Sequence, residues 1–136
     1  MPHPAGLPDV FVDRSLGRIQ VPVLLRASGL RLVTLAERYG IPADEGITDA
    51  QWLADAGERG EVVFMKDARV RYNAAEKLAI VRHVVRCFCL SRQDLAAELM
   101  ANRFLTNLSR IESACVDPGP LIYAVHDNRI EQLNIG

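Results

Sequence analysis

The chain has 136 residues, of which 49% are hydrophobic and 24% are charged, and its net charge is -1. This length suits one domain with a buried core and leaves little room for a second domain. A protein with this net charge is not basic enough overall to bind nucleic acid through its total charge. Any such binding needs a local cluster of arginine and lysine.

Residues 1–8 are rich in proline and are predicted to form a flexible lead-in to a domain over 9–136. They lack the charged-then-apolar pattern of a signal peptide. No apolar stretch of the sequence approaches the ~20 residues of a membrane span. The three cysteines are an odd number without paired spacing, which predicts reduced thiols. We therefore expect a soluble, cytoplasmic protein that does not enter a membrane.

The first strand is predicted over 9–13, because its β-branched and aromatic residues are typical of a buried parallel strand. A helix is expected over 16–28, where Pro22 either kinks the helix or marks its true start. A second strand follows over 30–34. The polar, glycine-containing stretch after that strand predicts a loop.

Thr48 is expected to cap a helix that runs to about Ala56, with Gln51 at its third position to complete a capping box. The third strand is predicted over 61–65. Asn73 is then expected to cap a helix that ends near residue 84.

The fourth strand is predicted over 86–90, and a long helix is expected to start at residue 91 or 94 and end near 114. A turn then leads to a fifth strand over 121–125. A second turn predicts that 129–135 pairs back with this strand as a hairpin.

Strands that alternate with helices predict an α/β domain of three layers, with a mostly parallel central sheet flanked by helices. In open sheets of this kind, ligands bind beyond the carboxyl ends of the strands. The residues that follow the strands are therefore the candidates for a functional site.

Three aspartates are expected at this edge of the sheet. Asp13 ends the first strand, Asp67 follows the third, and Asp49 lies in the first turn of the helix that leads into the third. Each aspartate alone also fits a structural role, since Asp49 suits a helix dipole and the other two suit turns. Together they predict a site for Mg²⁺ or Mn²⁺, because these cations prefer oxygen ligands. Glu45 is the best candidate for a fourth acid, with Asp44 and Glu37 as rivals.

Basic side chains are expected beside the same edge, where they could bind phosphates. They could equally be counter-charges for the acids. The candidates for substrate binding are Arg14, Arg18, Lys66, Arg69 and Arg71. Tyr72 is a candidate for stacking on a base, although a lone tyrosine also suits packing.

Three segments carry a family resemblance: VFVDRSLGR at 10–18, TDAQWLADA at 48–56 and VFMKDARVRYN at 63–73. In order and spacing they resemble the PIN-like domain family and, within it, toxins of the VapC type from bacterial toxin–antitoxin pairs. The resemblance extends from about residue 9 to the end of the chain, and it implies a single three-layer PIN-like domain.

The resemblance implies a metal-dependent ribonuclease whose acids include Asp13, Asp49 and Asp67, the last in the strand-end sequence Met65-Lys66-Asp67. It also implies an RNA substrate, a cognate antitoxin and pairing into a homodimer, for which the long helix with Leu95, Leu99 and Leu105 could supply the interface. One departure is that no residue cleanly fills the place of a further acid on an earlier helix, for which Glu37 and Glu45 are the candidates.

Two other classes of function stay open on the sequence. The low net charge and the uncertain fourth acid allow a catalytically weak or inactive PIN-like interaction module that binds a partner protein. A phosphate-ester hydrolase for a small substrate is less consistent with the open, basic-rimmed groove expected at the strand ends.

Overall fold

A computed structural model describes residues 2–135 of the chain. Its strands are β1 (Val10–Val12), β2 (Leu32–Thr34), β3 (Val62–Met65), β4 (Arg86–Leu90), β5 (Leu121–Val125) and β6 (Ile130–Leu133). Its helices are α1 (Gln20–Ala27), α2 (Leu35–Tyr39), α3 (Asp49–Glu58), α4 (Ala74–Arg82), α5 (Ala97–Thr106) and α6 (Leu108–Ala114).

The six strands form one sheet in the order β2-β1-β3-β4-β5-β6. The first five pair in parallel, and β6 pairs antiparallel with β5, with Val125 opposite Ile130. The predicted mostly parallel sheet and the terminal hairpin are confirmed. The strand order reverses between β1 and β3, and this switch point is where open α/β sheets form ligand crevices.

Alternate residues of each strand enter two separate cores, because successive side chains point to opposite faces of a sheet. Val12 and Phe64 lie in one core, under α1, α5 and α6, whereas Phe11 and Val63 lie in the other, under α2, α3 and α4. Both faces of the sheet are therefore covered by helices, which confirms the predicted three layers.

Two helix predictions need correction. The stretch after β2 contains the short helix α2, which has a capping box between Thr34 and Glu37 where a loop was expected. The long helix expected up to residue 114 starts only at Ala97 and is divided at Asn107. The Asn107 amide is fully buried and donates hydrogen bonds to the carbonyls of Arg103 and His126. This tertiary contact occupies the break between the two helices.

The helix caps at Thr48 and Asn73 are confirmed: Thr48 Oγ1 accepts from the Gln51 amide at 3.2 Å, and Asn73 Oδ1 accepts from the Glu76 amide at 3.1 Å. Helix α1 begins at Gln20, so Pro22 lies in its first turn, where a missing amide hydrogen costs little.

Residue 1 of the predicted lead-in and residue 136 of the predicted domain lie outside the described residues. Within the lead-in, Leu7 is buried in the core and the His3 ring accepts a hydrogen bond from the Arg31 amide at 2.9 Å. The flexibility of this segment stays a prediction. All three cysteines are buried free thiols. None of the helices described between residues 2 and 135 is long and apolar enough to cross a membrane.

Candidate active site

Asp13 lies directly after β1 at the switch point of the sheet, and only 5% of it is exposed. Its amide donates to the Phe64 carbonyl at 3.1 Å, and its Oδ2 accepts from the Ser15 amide at 3.3 Å. The other carboxylate oxygen, Oδ1, is buried and has no hydrogen-bond partner. Burial raises the pKa of this carboxyl, and the nearby charge of Asp49 raises it further.

Asp49 is the first residue of α3, and its carboxylate is held from within that helix. The indole nitrogen of Trp52, one turn later, donates to Asp49 Oδ1 at 2.9 Å. Trp52 is fully buried, and its ring stacks on Phe11 with centroids 5.1 Å apart. The core of the domain thus fixes the orientation of this acid.

Asp67 follows β3 and caps the short 3₁₀ turn at Ala68–Tyr72. Its Oδ1 accepts from the Arg69 amide at 2.9 Å, and the Arg69 guanidinium donates to Oδ2 through Nε at 2.8 Å and Nη2 at 2.5 Å. The guanidinium lowers the pKa of the Asp67 carboxyl, mainly through these hydrogen bonds. Asp67 is therefore ionised and bound to its own neighbour.

Glu76 is the fourth acid of this pocket, and the sequence interpretation did not select it. It lies in the first turn of α4, and the same cavity is lined by Asp13, Asp49, Asp67 and Glu76. Burial, a hydrogen bond with Asp49 and the charges of the three aspartates together raise the pKa of Glu76 to about 7. We call these four residues and the space between them the acidic pocket.

Glu76 occupies a position in the fold equivalent to that of Asp49. Asp49 opens the helix before β3, and Glu76 lies in the first turn of the helix before β4. The amino ends of both helices lie at the same edge as the carboxyl ends of the strands. The place of Glu76 in the first turn of a helix that follows the Asn73 cap is the sequence signal that could have selected it.

The acids considered for the fourth place lie elsewhere. Glu45 is exposed in the 3₁₀ turn at Ala43–Gly46 and does not line the acidic pocket. Asp44 is buried and pairs with Arg18 at 2.7 Å. Glu37 pairs with Arg26 at 2.6 Å and closes the capping box of α2. None of these three acids therefore lines the acidic pocket.

No group of three or more His, Cys, Asp or Glu side chains is arranged to hold a metal ion, as far as residues 2–135 are concerned. The chemistry of the acidic pocket nevertheless fits a cation. Asp13 Oδ1 is buried without a partner, and the pKa of Glu76 is raised because burial and then repulsion by the three aspartates disfavour its charged form. A divalent cation would satisfy that oxygen and offset this repulsion.

The basic candidates divide into two groups. Arg14 and Arg69 lie at the acidic pocket: Arg69 lines it, and Arg14 lines an adjoining cavity that also contains Asp49 and Glu76. Arg14 donates to the Ile47 carbonyl at 2.5 Å, which directs its guanidinium along this edge.

The other three basic residues do not line the acidic pocket. Arg18 is held by Asp44, and Arg71 donates to the Asn134 carbonyl at 3.2 Å. Lys66 is adjacent to Asp67, and its backbone is fixed by Ser15 and Gln93. Tyr72 is 72% exposed, next to Arg71, so packing in the core does not explain it.

Comparisons with known proteins agree with the fold. The family model described as "PIN like domain" matches residues 8–92. The chain is 44% identical over 126 residues to "Putative ribonuclease VapC45" of Mycobacterium tuberculosis (strain ATCC 25618 / H37Rv), which covers 93% of this chain and 91% of that protein. No solved structure gives a significant match. The chain belongs to the PIN-like domain family and, within it, to proteins of the VapC type.

Proposed function

We propose that this protein is an endoribonuclease that hydrolyses RNA phosphodiester bonds with Mg²⁺ or Mn²⁺ and acts as the toxin of a toxin–antitoxin pair. The observation that carries the proposal is the convergence of four carboxylates at the switch point of the sheet. The name of the relative, a ribonuclease of the VapC type, supports the same activity.

The metal would be held by Asp13, Asp49, Asp67 and Glu76. A bound Mg²⁺ or Mn²⁺ supplies charge neutralisation on the phosphodiester and lowers the pKa of a water nucleophile. The protein supplies orientation: the Ser15 amide positions Asp13, and the Trp52 indole positions Asp49. These contacts hold the two carboxylates in place before RNA arrives, which lowers the cost of assembling the site.

The RNA would approach across the open side of the acidic pocket. Arg14 is exposed beside Asp49 and Glu76, so its guanidinium can bind a phosphate next to the bond that is cut. Arg69 could do the same once it releases Asp67. Lys66 and Arg71 are candidates for phosphates further along the strand. Arg18 is the weakest candidate, because Asp44 already neutralises it.

A cognate antitoxin is part of the proposal, since proteins of the VapC type are the toxins of such pairs. A homodimer is also proposed, and the exposed apolar residues at the start of α1, within α1 and on α5 support it. Ile19 and Val23 are 70% and 56% exposed, and Leu99 is 53% exposed, whereas Leu95 and Leu105 pack against the core. Of the three leucines considered for an interface, only Leu99 therefore has much surface to offer.

One observation favours the alternative of a catalytically weak interaction module. Arg69 already occupies both oxygens of Asp67, and no three ligand side chains within residues 2–135 are arranged as a metal site. An inactive module would bind its partner protein without any response to Mn²⁺. Thermal melting with added Mn²⁺ separates the two cases, because a bound ion raises the melting temperature.

The function is tested with the triple variant Asp13→Asn, Asp49→Asn, Asp67→Asn. The purified wild type is expected to cleave single-stranded RNA in Mn²⁺ and to arrest growth when produced without its antitoxin. The triple variant should do neither, whereas Glu45→Gln, which changes an acid outside the pocket, should behave as wild type. A triple variant that cleaves RNA and arrests growth like the wild type would contradict the proposal.

A further inference from the structure

A second cavity, of about 860 Å³, lies along α4 next to the acidic pocket. Asn73 and Glu76 line the acidic pocket, whereas Ala74 and Lys77, each one residue further on, line this second cavity. Successive residues of a helix point about 100° apart, so the two cavities occupy adjacent faces of the same helical turn. We call the second cavity the α4 groove.

Tyr72 lines the α4 groove and is followed in the chain by Asn73, which lines the acidic pocket, and 72% of Tyr72 is exposed. The guanidinium carbon of Arg71 lies 4.6 Å from the centroid of its ring. Arg71 is itself anchored by its hydrogen bond to the Asn134 carbonyl. The cation therefore covers one face of the ring and leaves the exposed side for a flat ligand.

The charges of the groove select an anionic ligand. Among its lining residues in the described part of the chain, the two that carry charge are Arg71 and Lys77, and both are cations. The chain as a whole has a net charge of -1, so this is a local concentration of positive charge. Groups that carry phosphate on a flexible backbone are the ligands that such a surface attracts.

The remaining wall is apolar. Leu78 and Val81 lie one turn apart on α4 and are 58% and 47% exposed. A surface with an open aromatic ring, apolar side chains and two cations matches the parts of a single-stranded nucleic acid: base, sugar and phosphate. A duplex cannot use the ring, because its bases are already stacked on one another.

We propose that the α4 groove binds the single-stranded RNA segment next to the bond that is cut, with a base stacked on Tyr72 and a phosphate bound by Lys77. The proposal rests on the ribonuclease function proposed above and adds where the strand leaves the acidic pocket. Tyr72 then determines a preference for single-stranded over double-stranded RNA, because stacking requires an unpaired base, whereas Lys77 contributes affinity for phosphate.

Binding is tested by fluorescence anisotropy with a labelled single-stranded RNA of about twelve nucleotides, within the usual range of such sites. EDTA is present, so no cleavage occurs and the result does not depend on activity. Tyr72→Ala should weaken binding about tenfold, and Tyr72→Phe should stay within about twofold of wild type, because the ring and not the hydroxyl makes the contact.

The charge contribution has a matched control on the same protein. Lys77→Ala should weaken RNA binding. The slope of log affinity against log salt concentration should also become shallower by about 0.7, which corresponds to one lost phosphate contact. Arg59→Ala removes an exposed cation at the carboxyl end of α3, the end opposite Asp49. It should leave both the RNA affinity and the salt slope unchanged. Duplex RNA of the same length should bind Tyr72→Ala and wild type equally.

Several results would overturn the proposal. It fails if Tyr72→Ala and Lys77→Ala bind single-stranded RNA like the wild type, or if Arg59→Ala weakens binding as much as they do. It also fails if Tyr72→Ala changes the sedimentation coefficient and leaves RNA binding intact, since the groove would then be a protein interface. Failure of the proposed ribonuclease function would give a different result from failure of the groove proposal: RNA would bind the groove, but no cleavage would follow when Mn²⁺ is added.

Discussion

The indole nitrogen of Trp52 donates a hydrogen bond to Asp49 Oδ1 at 2.9 Å, which joins the hydrophobic core to the acidic pocket. Trp52 is the single tryptophan of the chain and is fully buried, with its ring stacked on Phe11. The only tryptophan fluorophore of the chain is therefore in direct contact with a proposed metal ligand, Asp49.

This contact predicts that Mn²⁺ quenches the fluorescence of Trp52. Because the ion would bind Asp49, quenching should saturate with Mn²⁺ concentration, and Mg²⁺ should reverse it by competition. A fluorescence titration of the wild type measures this, and Asp49→Asn should shift the midpoint at least about tenfold higher. Quenching that stays linear with Mn²⁺ and is unaffected by Mg²⁺ would show that no ion binds next to Trp52.

Glu76→Gln should change how stability depends on pH in the absence of metal. The pKa of Glu76 is raised from its ordinary value of 4.5 to about 7, so between these values the folded state binds more protons than the unfolded chain. Stability therefore falls as the pH rises through this window. Because water screens this partly exposed carboxyl, the effect should be well below that of the full shift, and the variant should melt about 3 °C above wild type at pH 8 and close to it at pH 4.

The control for this experiment is Glu45→Gln, because Glu45 is exposed and lies outside the acidic pocket. Part of the pH dependence should persist in Glu76→Gln, since burial also raises the pKa of Asp13. Identical profiles of melting temperature against pH for wild type and Glu76→Gln would mean that the pKa of Glu76 is not raised in the folded protein.

Arg69→Ala should strengthen metal binding. The Arg69 guanidinium is bound to both oxygens of Asp67, so an ion has to displace it before Asp67 can bind the ion. We expect the apparent dissociation constant for Mn²⁺ to fall by about threefold, because a competing partner in high dielectric contributes roughly 1 kcal/mol or less. Calorimetry in EDTA-treated samples measures the change.

A matched control exists because Arg92 and Asp94 form the same type of pair two residues apart, outside the acidic pocket, at 3.1 Å. Arg92→Ala should leave Mn²⁺ affinity unchanged. Loss of Arg69 should also raise the pKa of Asp67 towards its ordinary value, so protons compete with Mn²⁺ from a higher pH in the variant, and its advantage over wild type should shrink as the pH falls below about 5. Weaker binding at neutral pH would instead show that Arg69 supports the site.

Arg38→Ala should destabilise the fold strongly. Arg38 and Glu61 form a two-point ion pair, their side chains are 9% and 10% exposed, and the guanidinium carbon lies 5.1 Å from the Phe11 ring centroid. Removing the cation leaves a buried carboxylate without a partner, at a cost of about 3–5 kcal/mol. Urea denaturation of the two proteins measures the difference in free energy of unfolding.

The comparison for this variant is Arg31→Ala, which breaks the pair between Arg31 and Asp9. Those side chains are 64% and 58% exposed, so water screens the pair and its loss should cost less than about 1 kcal/mol. Equal losses for the two variants would mean that burial does not control the strength of the Arg38–Glu61 pair.

Local chemistry was enough to predict most of the fold. Strands β4 and β5 have the predicted limits, and the caps at Thr48 and Asn73 are present because short polar side chains at these positions satisfy free amides of the first helical turn. The division at Asn107 was not predicted, because a buried amide that bonds to a distant carbonyl has no signature in the local sequence.

The candidate site was predictable only in part, because the sequence shows which acids follow strands or open helices but not which helices the fold brings together. Asp13 and Asp67 follow directly from strand ends, and Asp49 follows from the position of its helix. Glu45 was favoured as a fourth acid because it is one helical turn before Asp49 along the chain, but a 3₁₀ turn holds it away from the pocket. Glu76 comes from a helix further along the chain, and the fold brings it to the same edge.

Calorimetric titration with Mn²⁺ tests the central claim most directly, since the claim is that Asp13, Asp49, Asp67 and Glu76 form one metal site. The wild type is expected to bind Mn²⁺ saturably, with affinity at least about tenfold weaker in Asp13→Asn and in Glu76→Gln and unchanged in Glu45→Gln. Saturable binding with the same affinity in all four proteins, or no binding to the wild type, would contradict the claim.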